Sequence, residues 1–450
     1  MKGEGVVVPA VLIGSARVDL LDHVRMIQGA SAWLHGRGAH APATFFAVVC
    51  LEEAAKCHVL DSCAGHERGM TSVDRREIDS HKKRIALLLR KMRGGGARHG
   101  KSPVPDADAV ASRLNAIKQL AVYHECAGGA AVTLGGALGA PGLRRVSEIL
   151  QEVVASGVAS LDAVPRSGSG SAESADILLA EVMELSSAVA EPVPIGASGG
   201  IPAGDLHAVL QSLENHVAVL DKFAVDLHNG GHYEASIFMS IMSFEEASKH
   251  YFLAKCRRGG SGAGADQVGV LRDHNSKLSV FFRDVARYLG DSNVDRHSKP
   301  PGKYSIIHPE AFLKLDGLKQ LALYFDHMCG RTMTLRKLLG NHTAMVSKYL
   351  RDILIGMVSW AIICDGDAEN PYRRHNTNPM HYQRYQELVR FKTNPENEAY
   401  DQAMYWIVGR LDCLNDAVRR RDESRCEAEL SHILAGLQDQ GWRKTHMSQK

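Results

Sequence analysis

The chain has 450 residues, 45% hydrophobic and 23% charged, and its 53 basic and 51 acidic side chains leave a net charge of +2. That composition fits an ordinary globular protein of two or three domains and excludes a global positive field of the kind that advertises nucleic acid. The longest apolar run, 353–364, is too short for a bilayer span of ~20 residues.

In chain order, nearly everything reads as helix. Residues 16–35 carry Val18, Leu21, Val24 and Ile27 at helical spacing. Gly36 and Gly38 end that helix, and Pro42 opens the next at its first turn. The second helix runs to Cys63, and a charged one over 74–92 holds His81. After a loop at Gly94, Gly95, Gly96, Pro103 and Pro105 comes a helix over 106–126 with Lys118 and Tyr123. A small-residue stretch, 128–142, leads into an amphipathic helix from Leu143 to Leu161. Gly168-Ser169-Gly170-Ser171 has linker composition, a short helix follows over 174–190, and a Pro/Gly-rich joint fills 192–204. The second half repeats the pattern with helices over 205–228, 233–256, 266–289 and 309–329, then an apolar helix over 343–364. The tail, 366–450, has no counterpart in the first half; it mixes aromatic and basic residues around Tyr372 and His381 and predicts two helices. No strand pattern emerges, so the expected class is all-α: two helical bundles, 1–165 and 205–365, a linker with a short helix, 166–204, and a helical C-terminal extension, 366–450.

The nine cysteines show no zinc-type spacing, the nearest pair being Cys57 and Cys63, and read as buried reduced thiols of a cytoplasmic protein. No secretory signal is expected, because Gly14 and Arg17 break the N-terminal apolar run. Basic residues cluster locally, and Lys82-Lys83-Arg84 beside His81 is a candidate contact for nucleic acid.

The segment around Leu51-Glu52-Glu53-Ala54-Ala55-Lys56 is apolar on every helix face, so its three charges are expected to be buried and paired. Phe244-Glu245-Glu246-Ala247-Ser248-Lys249 repeats it at an offset of 193. At that offset, without a gap, Pro9-Ala10 also matches Pro202-Ala203, Leu34-His35 matches Leu227-His228, Gly38 matches Gly231 and His81 matches His274. Arg84 falls on Lys277; further on, Leu114 to Tyr123, including Lys118, matches Leu315 to Tyr324, including Lys319, eight residues later in register. The repeated unit is about 150 residues, which predicts a domain duplication and not a solenoid of ~20–50-residue repeats.

Each copy thus offers carboxylates, cations, a His and a Tyr. An imidazole, titrating near neutral pH, can move a proton to or from a ribose hydroxyl, a cation can steady the phosphorane, and a Glu can orient the His or the Lys. The set can therefore cleave RNA without a metal. A carboxylate-bridged di-metal bundle wants Glu-x-x-His pairs, and Lys56 and Lys249 stand where the His would be. No Walker loop or nucleophile elbow is present. A non-catalytic helical scaffold is the competing reading.

The Glu-Glu-x-x-Lys helix, a His-x-x-Lys/Arg helix and a Lys…Tyr helix, in that order twice, resemble the AbiV family of abortive-infection proteins, within the HEPN superfamily of helical-bundle domains. The resemblance covers about 15–126 and 205–330. It implies a cytoplasmic antiphage effector that cleaves cellular RNA (tRNA, rRNA or mRNA) with no metal or other cofactor and no membrane partner, under a phage-encoded activator. The family's Arg-to-His spacing is met by Arg76 and His81, whereas Val268 and Gly269 stand where repeat two would carry Arg75 and Arg76, so repeat one is expected to carry more of the rate. The catalytic residues implied are His81, His274, Arg76, Glu53, Glu246, Lys56 and Lys249. Those implied for substrate are Lys82, Lys83, Arg84, Lys277, Lys118, Lys319, Tyr123 and Tyr324. Family members pair with active residues facing across a dimer interface, which implies that the two repeats build that pairing internally as one composite cleft; a homodimer of the whole chain stays open. The scaffold alternative would bind a phage product or the translation machinery.

Overall fold

The computed structural model describes residues 6–8, 10–64, 70–71, 80–92, 106–123, 125–127, 130–162, 170–187, 189, 200–260, 262–264, 271, 278, 281, 315–328, 331–364, 379–394 and 397–438. Among the described residues the fold is all-α, with three small two-stranded ribbons. The ribbons correct the expectation of no strands. Each strand is two or three residues long, too short for an alternating pattern to register in sequence.

Two compact units divide the chain. Unit 1 comprises Met1–Tyr123, Val132–Pro192 and Leu323–Thr334. Its helices are α1 (Ala10–Gly36), α2 (His40–Ala64), α3 (His81–Met92), α4 (Ala107–Val122), α5 (Leu134–Asp162) and α6 (Gly170–Leu185). α2 is the hub, packed by α1, α3, α4 and α5, and every residue over 42–57 is buried. That is why its apolar residues occupy all faces. The α1–α2 turn closes at Gly38, whose φ of 75° lies in the left-handed region; the Gly38 N–H donates to His35 O at 2.9 Å and the Ala39 N–H to Leu34 O at 2.9 Å. β1 (Val6–Val8) pairs with β2 (Met70–Thr71). α4 is capped by Asp106, whose carboxylate accepts from the Ala109 N–H.

Unit 2 comprises His124–Ala131, Val193–Ala322 and Leu335–Lys450. The ribbon of β3 (Glu125–Ala127) and β4 (Ala130–Val132) falls almost wholly in it, and its helices begin with α7 (Leu206–Asn229), α8 (Tyr233–Arg258) and α9 (Leu315–Leu323). The ribbon of β5 (His327–Met328) and β6 (Arg331–Thr332) belongs to unit 1. Unit 2 continues with α10 (Leu335–Leu339), α11 (Thr343–Cys364), α12 (Pro379–Thr393), α13 (Glu398–Arg420) and α14 (Glu423–Gln438). α8 is its hub, buried throughout 234–251 and packed by α7 and α11. Phe281 joins Phe244, Tyr251 and Trp360 edge-to-face at 5.2–5.9 Å, and Trp360 stacks on Tyr385 of α12.

The units differ from the expected boundaries in three places. The helix expected inside the linker, α6, packs on α5 within unit 1. Among the described residues the tail forms three helices, not two, and it belongs to unit 2. It docks by close approach: a Cβ on Gly356 of α11 would meet Leu388 of α12 at 2.6 Å, and one on Gly317 of α9 would meet Asp412 of α13 at 2.7 Å. Finally, the helix expected over 309–329 stops at Leu323, and the residues after it, Leu323–Thr334, belong to unit 1. Among the described residues no helix is long and apolar enough to cross a membrane.

Candidate active site

The charged side chains of α2 meet α3, α4 and the Leu323–Thr334 segment inside unit 1. Glu52 and Glu53 are fully buried. Glu52 accepts through Oε1 from the Lys118 ammonium of α4 and bonds His81 Nδ1 of α3 through Oε2 at 2.7 Å. Burial pushes the Glu52 carboxyl up, but the Lys118 charge and the His81 hydrogen bond outweigh it and hold it down at about 2. Glu52 is therefore an acceptor only, so Nδ1 of His81 carries the proton and Nε2 presents a lone pair. The His81 side chain is 42% exposed, while its partner carboxylate is at 0%. The result is an oriented imidazole with a basic nitrogen, half in solvent.

Glu53 anchors a second cluster. Lys56 Nζ lies 2.8 Å from its carboxylate, Arg84 Nη1 lies 3.6 Å away, and the Phe325 backbone N–H donates to Oε2 at 3.0 Å. Lys56 also donates to Phe325 O at 2.9 Å. Burial lowers the Lys56 pKa against the opposing pull of Glu53. Lys56 and Arg84 both lie over the Tyr324 ring, at 5.9 and 6.0 Å. Tyr324 sits 5.6 Å from the His81 ring. Deeper, His23 of α1 is buried and donates from Nε2 to Leu323 O at 2.9 Å; burial lowers its pKa and keeps it neutral.

Of the residues singled out in sequence, the structure brings together Glu53, Lys56, His81, Arg84 and Lys118 in unit 1. Lys118 is only 2% exposed and meets a carboxylate, and Lys82 and Lys83 point to solvent on the exposed face of α3. Tyr123 ends α4. In unit 2, Glu246 pairs with Lys249 at 2.7 Å and Glu245 with Lys319 at 2.8 Å, all four buried. Lys319 also meets Asp316 at 3.4 Å. Arg76, His274 and Lys277 lie outside the described residues. Tyr324, grouped by sequence with the second half, stands in unit 1. Sequence reasoning passed over His23 and the Phe325 backbone as parts of this cluster; His23 recurs as His216 at the 193-residue offset, which was the available signal, while a backbone donor leaves none.

Other bonds recur at matching positions. Cys50 Sγ donates to Val24 O at 3.5 Å, and Ser243 Oγ, 193 residues on, donates to Val217 O at 3.4 Å. His35 bonds Ser147 at 2.9 Å and His228 bonds Ser347 at 2.9 Å. Ser31 donates to Ala43 O and Ser236 to Ala224 O, both at 2.7 Å, across equivalent pairs of positions with the hydroxyl on opposite sides.

Among the described residues no group of three or more His, Cys, Asp or Glu side chains could hold a metal ion. The arrangement offers one oriented base, a buried carboxylate behind it and three cations. No protein-family model, curated protein or solved structure matches the chain.

Proposed function

We propose that this protein is an antiphage abortive-infection effector that cleaves cellular RNA, with His81 of unit 1 as the proton-transfer group. The observation that supports it most is the His81–Glu52 pair: a half-exposed imidazole whose Nδ1 proton is held at 2.7 Å by a fully buried carboxylate. In the reaction, Nε2 takes the proton of a ribose 2′-hydroxyl and the 2′-oxygen attacks the adjacent phosphorus. The bond to the 5′-oxygen breaks, leaving a 2′,3′-cyclic phosphate and a 5′-hydroxyl protonated from water. The nearby cation, Arg84, steadies the added charge on the phosphorane. Glu52 orients His81 and stabilises the imidazolium. Lys118 keeps Glu52 ionised.

The bonds recurring at 193-residue spacing support reading the two halves as copies of one ancestral bundle. The AbiV and HEPN resemblance supplies the defence context, with a phage-encoded trigger and a cytoplasmic RNA target. A scaffold reading has one observation in its favour: Glu53–Lys56 and Glu246–Lys249 are buried alike, as purely structural pairs would be. Incubating purified protein with total cellular RNA in EDTA separates the two readings. Cleavage that disappears in His81→Ala supports the nuclease; identical RNA profiles from the two proteins, under conditions where the wild type arrests cells, support the scaffold.

A further inference from the structure

We propose that unit 2 holds a binding site for a nucleoside polyphosphate, in the cavity that α12 encloses against α7 and α11. The site lies wholly within unit 2 and does not rest on the ribonuclease reading.

The cavity measures about 800 Å³, within the ~300–1,000 Å³ usual for small-molecule sites. It is bounded by α7, α11 and α12, and Asn394 and Asn397 line it at the turn into α13. The helices around it are pinned. His381 Nδ1 of α12 lies 3.3 Å from Ser359 Oγ of α11, and Tyr385 stacks on Trp360. Gly356, lacking a Cβ, admits Leu388 against the α11 backbone. The space is therefore set by fixed helices and not by slack packing.

Its lining supplies what each part of a nucleotide needs. Two cations on facing helices are available for phosphate. Lys348 of α11 is exposed and makes no ion pair among the described residues. Arg384 of α12 faces one carboxylate, Asp221, at 3.5 Å, and burial pushes that carboxyl up to about 7, so the guanidinium keeps charge to offer an anion. Arg351, by contrast, is neutralised by Asp352 at 2.6 Å. One phosphate needs only one cation; two on different helices suit a chain of phosphates. Val225, Ile353 and Leu388 give the cavity an apolar wall for the flat face of a base. The carboxamides of Asn229, Asn394 and Asn397 each offer a donor and an acceptor, the combination that base edges present. Glu387, which also lines the cavity, is an acceptor for ribose hydroxyls. A bare phosphate would leave most of the volume empty, and a lipid tail would meet the carboxamides.

The test is calorimetric titration of the full-length protein with each of the four ribonucleoside triphosphates, with the free nucleosides and with inorganic triphosphate. At least one nucleotide should bind and raise Tm, and its nucleoside and inorganic triphosphate should each bind at least about tenfold more weakly. Lys348→Ala and Arg384→Gln should each weaken the nucleotide about tenfold, the usual effect of deleting one charged hydrogen bond. Lys222→Ala removes an exposed cation of α7 that does not line the cavity and should leave the affinity unchanged. Arg384 touches buried Asp221, so if Arg384→Gln melts early the exposed Lys348→Ala carries the comparison. The proposal is overturned if no nucleotide binds at millimolar concentration, or if inorganic triphosphate binds as tightly as the nucleotide. It is equally overturned if Lys348→Ala keeps wild-type affinity, or if Lys222→Ala weakens binding as much as Lys348→Ala does.

Discussion

In α2, Glu53 holds Lys56 and Glu52 holds Lys118; in α8, Glu246 holds Lys249 and Glu245 holds Lys319. The carboxylates and ammonium groups are buried in both units. Glu52 has its second oxygen on His81, and in unit 2 a further carboxylate, Asp316, meets Lys319. The ion pair is thus a common internal element, expensive to desolvate and worth keeping only where both partners are present. Function, on the proposed reading, depends on what is attached to its solvent side. The comparison also separates two buried acids: Glu52 is held at about 2 by its cation and His81, whereas Asp221 of unit 2 is pushed up to about 7 by burial, against a hydrogen bond from Ser243 and the Arg384 guanidinium at 3.5 Å.

The largest expected effect lies at His81. His81→Ala should lower RNA cleavage ~10²–10⁴-fold, the usual cost of losing a general base, while Tm changes little because Glu52 retains Lys118. Purified-protein RNA cleavage with parallel thermal melts checks this; a variant that cleaves normally removes His81 as the base.

Next come the shared pairs. Glu52→Gln leaves buried Lys118 without its carboxylate and should destabilise by about 3–5 kcal/mol, whereas Glu245→Gln should cost less because Asp316 still meets Lys319. Denaturant unfolding should find Glu52→Gln the less stable of the two, and RNA cleavage should find it the more damaging. Equal loss of cleavage from both would dissolve the distinction drawn here.

The two buried acids should give opposite pH slopes. A folded-state pKa of about 2 against an ordinary 4.5 means that Glu52 binds its proton more weakly when folded. Its contribution, on the order of 3 kcal/mol, is complete above about pH 4.5 and is lost as pH falls toward 2. Asp221 keeps its proton in the fold until about pH 7 and loses it near 3.8 when unfolded, so stability falls as pH rises between those values. Unfolding free energies measured across that range should show Asp221→Asn flattening the decline toward neutrality and Glu52→Gln flattening the acid loss.

The smallest effect is expected from Lys82→Ala and Lys83→Ala. Both side chains are exposed, so stability should stay within about 0.5 kcal/mol, and RNA affinity should drop a few-fold with a shallower salt dependence. An effect on cleavage as large as that of His81→Ala would place the base elsewhere.

The all-α class and the limits of α2, α7, α8 and α11 were readable to within a few residues, because long apolar helices with Gly or Pro punctuation carry their period and ends locally. The burial of Glu52, Glu53 and Lys56 followed from apolar neighbours on every face of one helix. Glycine close approaches such as Gly356 on Leu388 were hidden, since a missing Cβ says nothing about which partner fills the space. The kinked start of α5 at Leu134, with Gly139 at φ 66° and Pro141 inside, lies in the small-residue stretch ahead of the helix expected from Leu143, because small residues and proline have weak helix propensity and tertiary packing overrode it.

By itself the sequence determined the helices, the two charged hubs and the spacing that relates them, all properties of neighbours along the chain or of patterns compared along it. Only the tertiary structure decided that Lys118 serves Glu52 while Arg84 turns to Glu53, and that Tyr324, counted with the second copy, stands beside His81. The physical reason is that α9 stops at Leu323 and the chain leaves the helix there, its freed backbone groups bonding His23, Glu53 and Lys56. Backbone donors and acceptors are the same at every residue, so no side-chain pattern records where they will be satisfied.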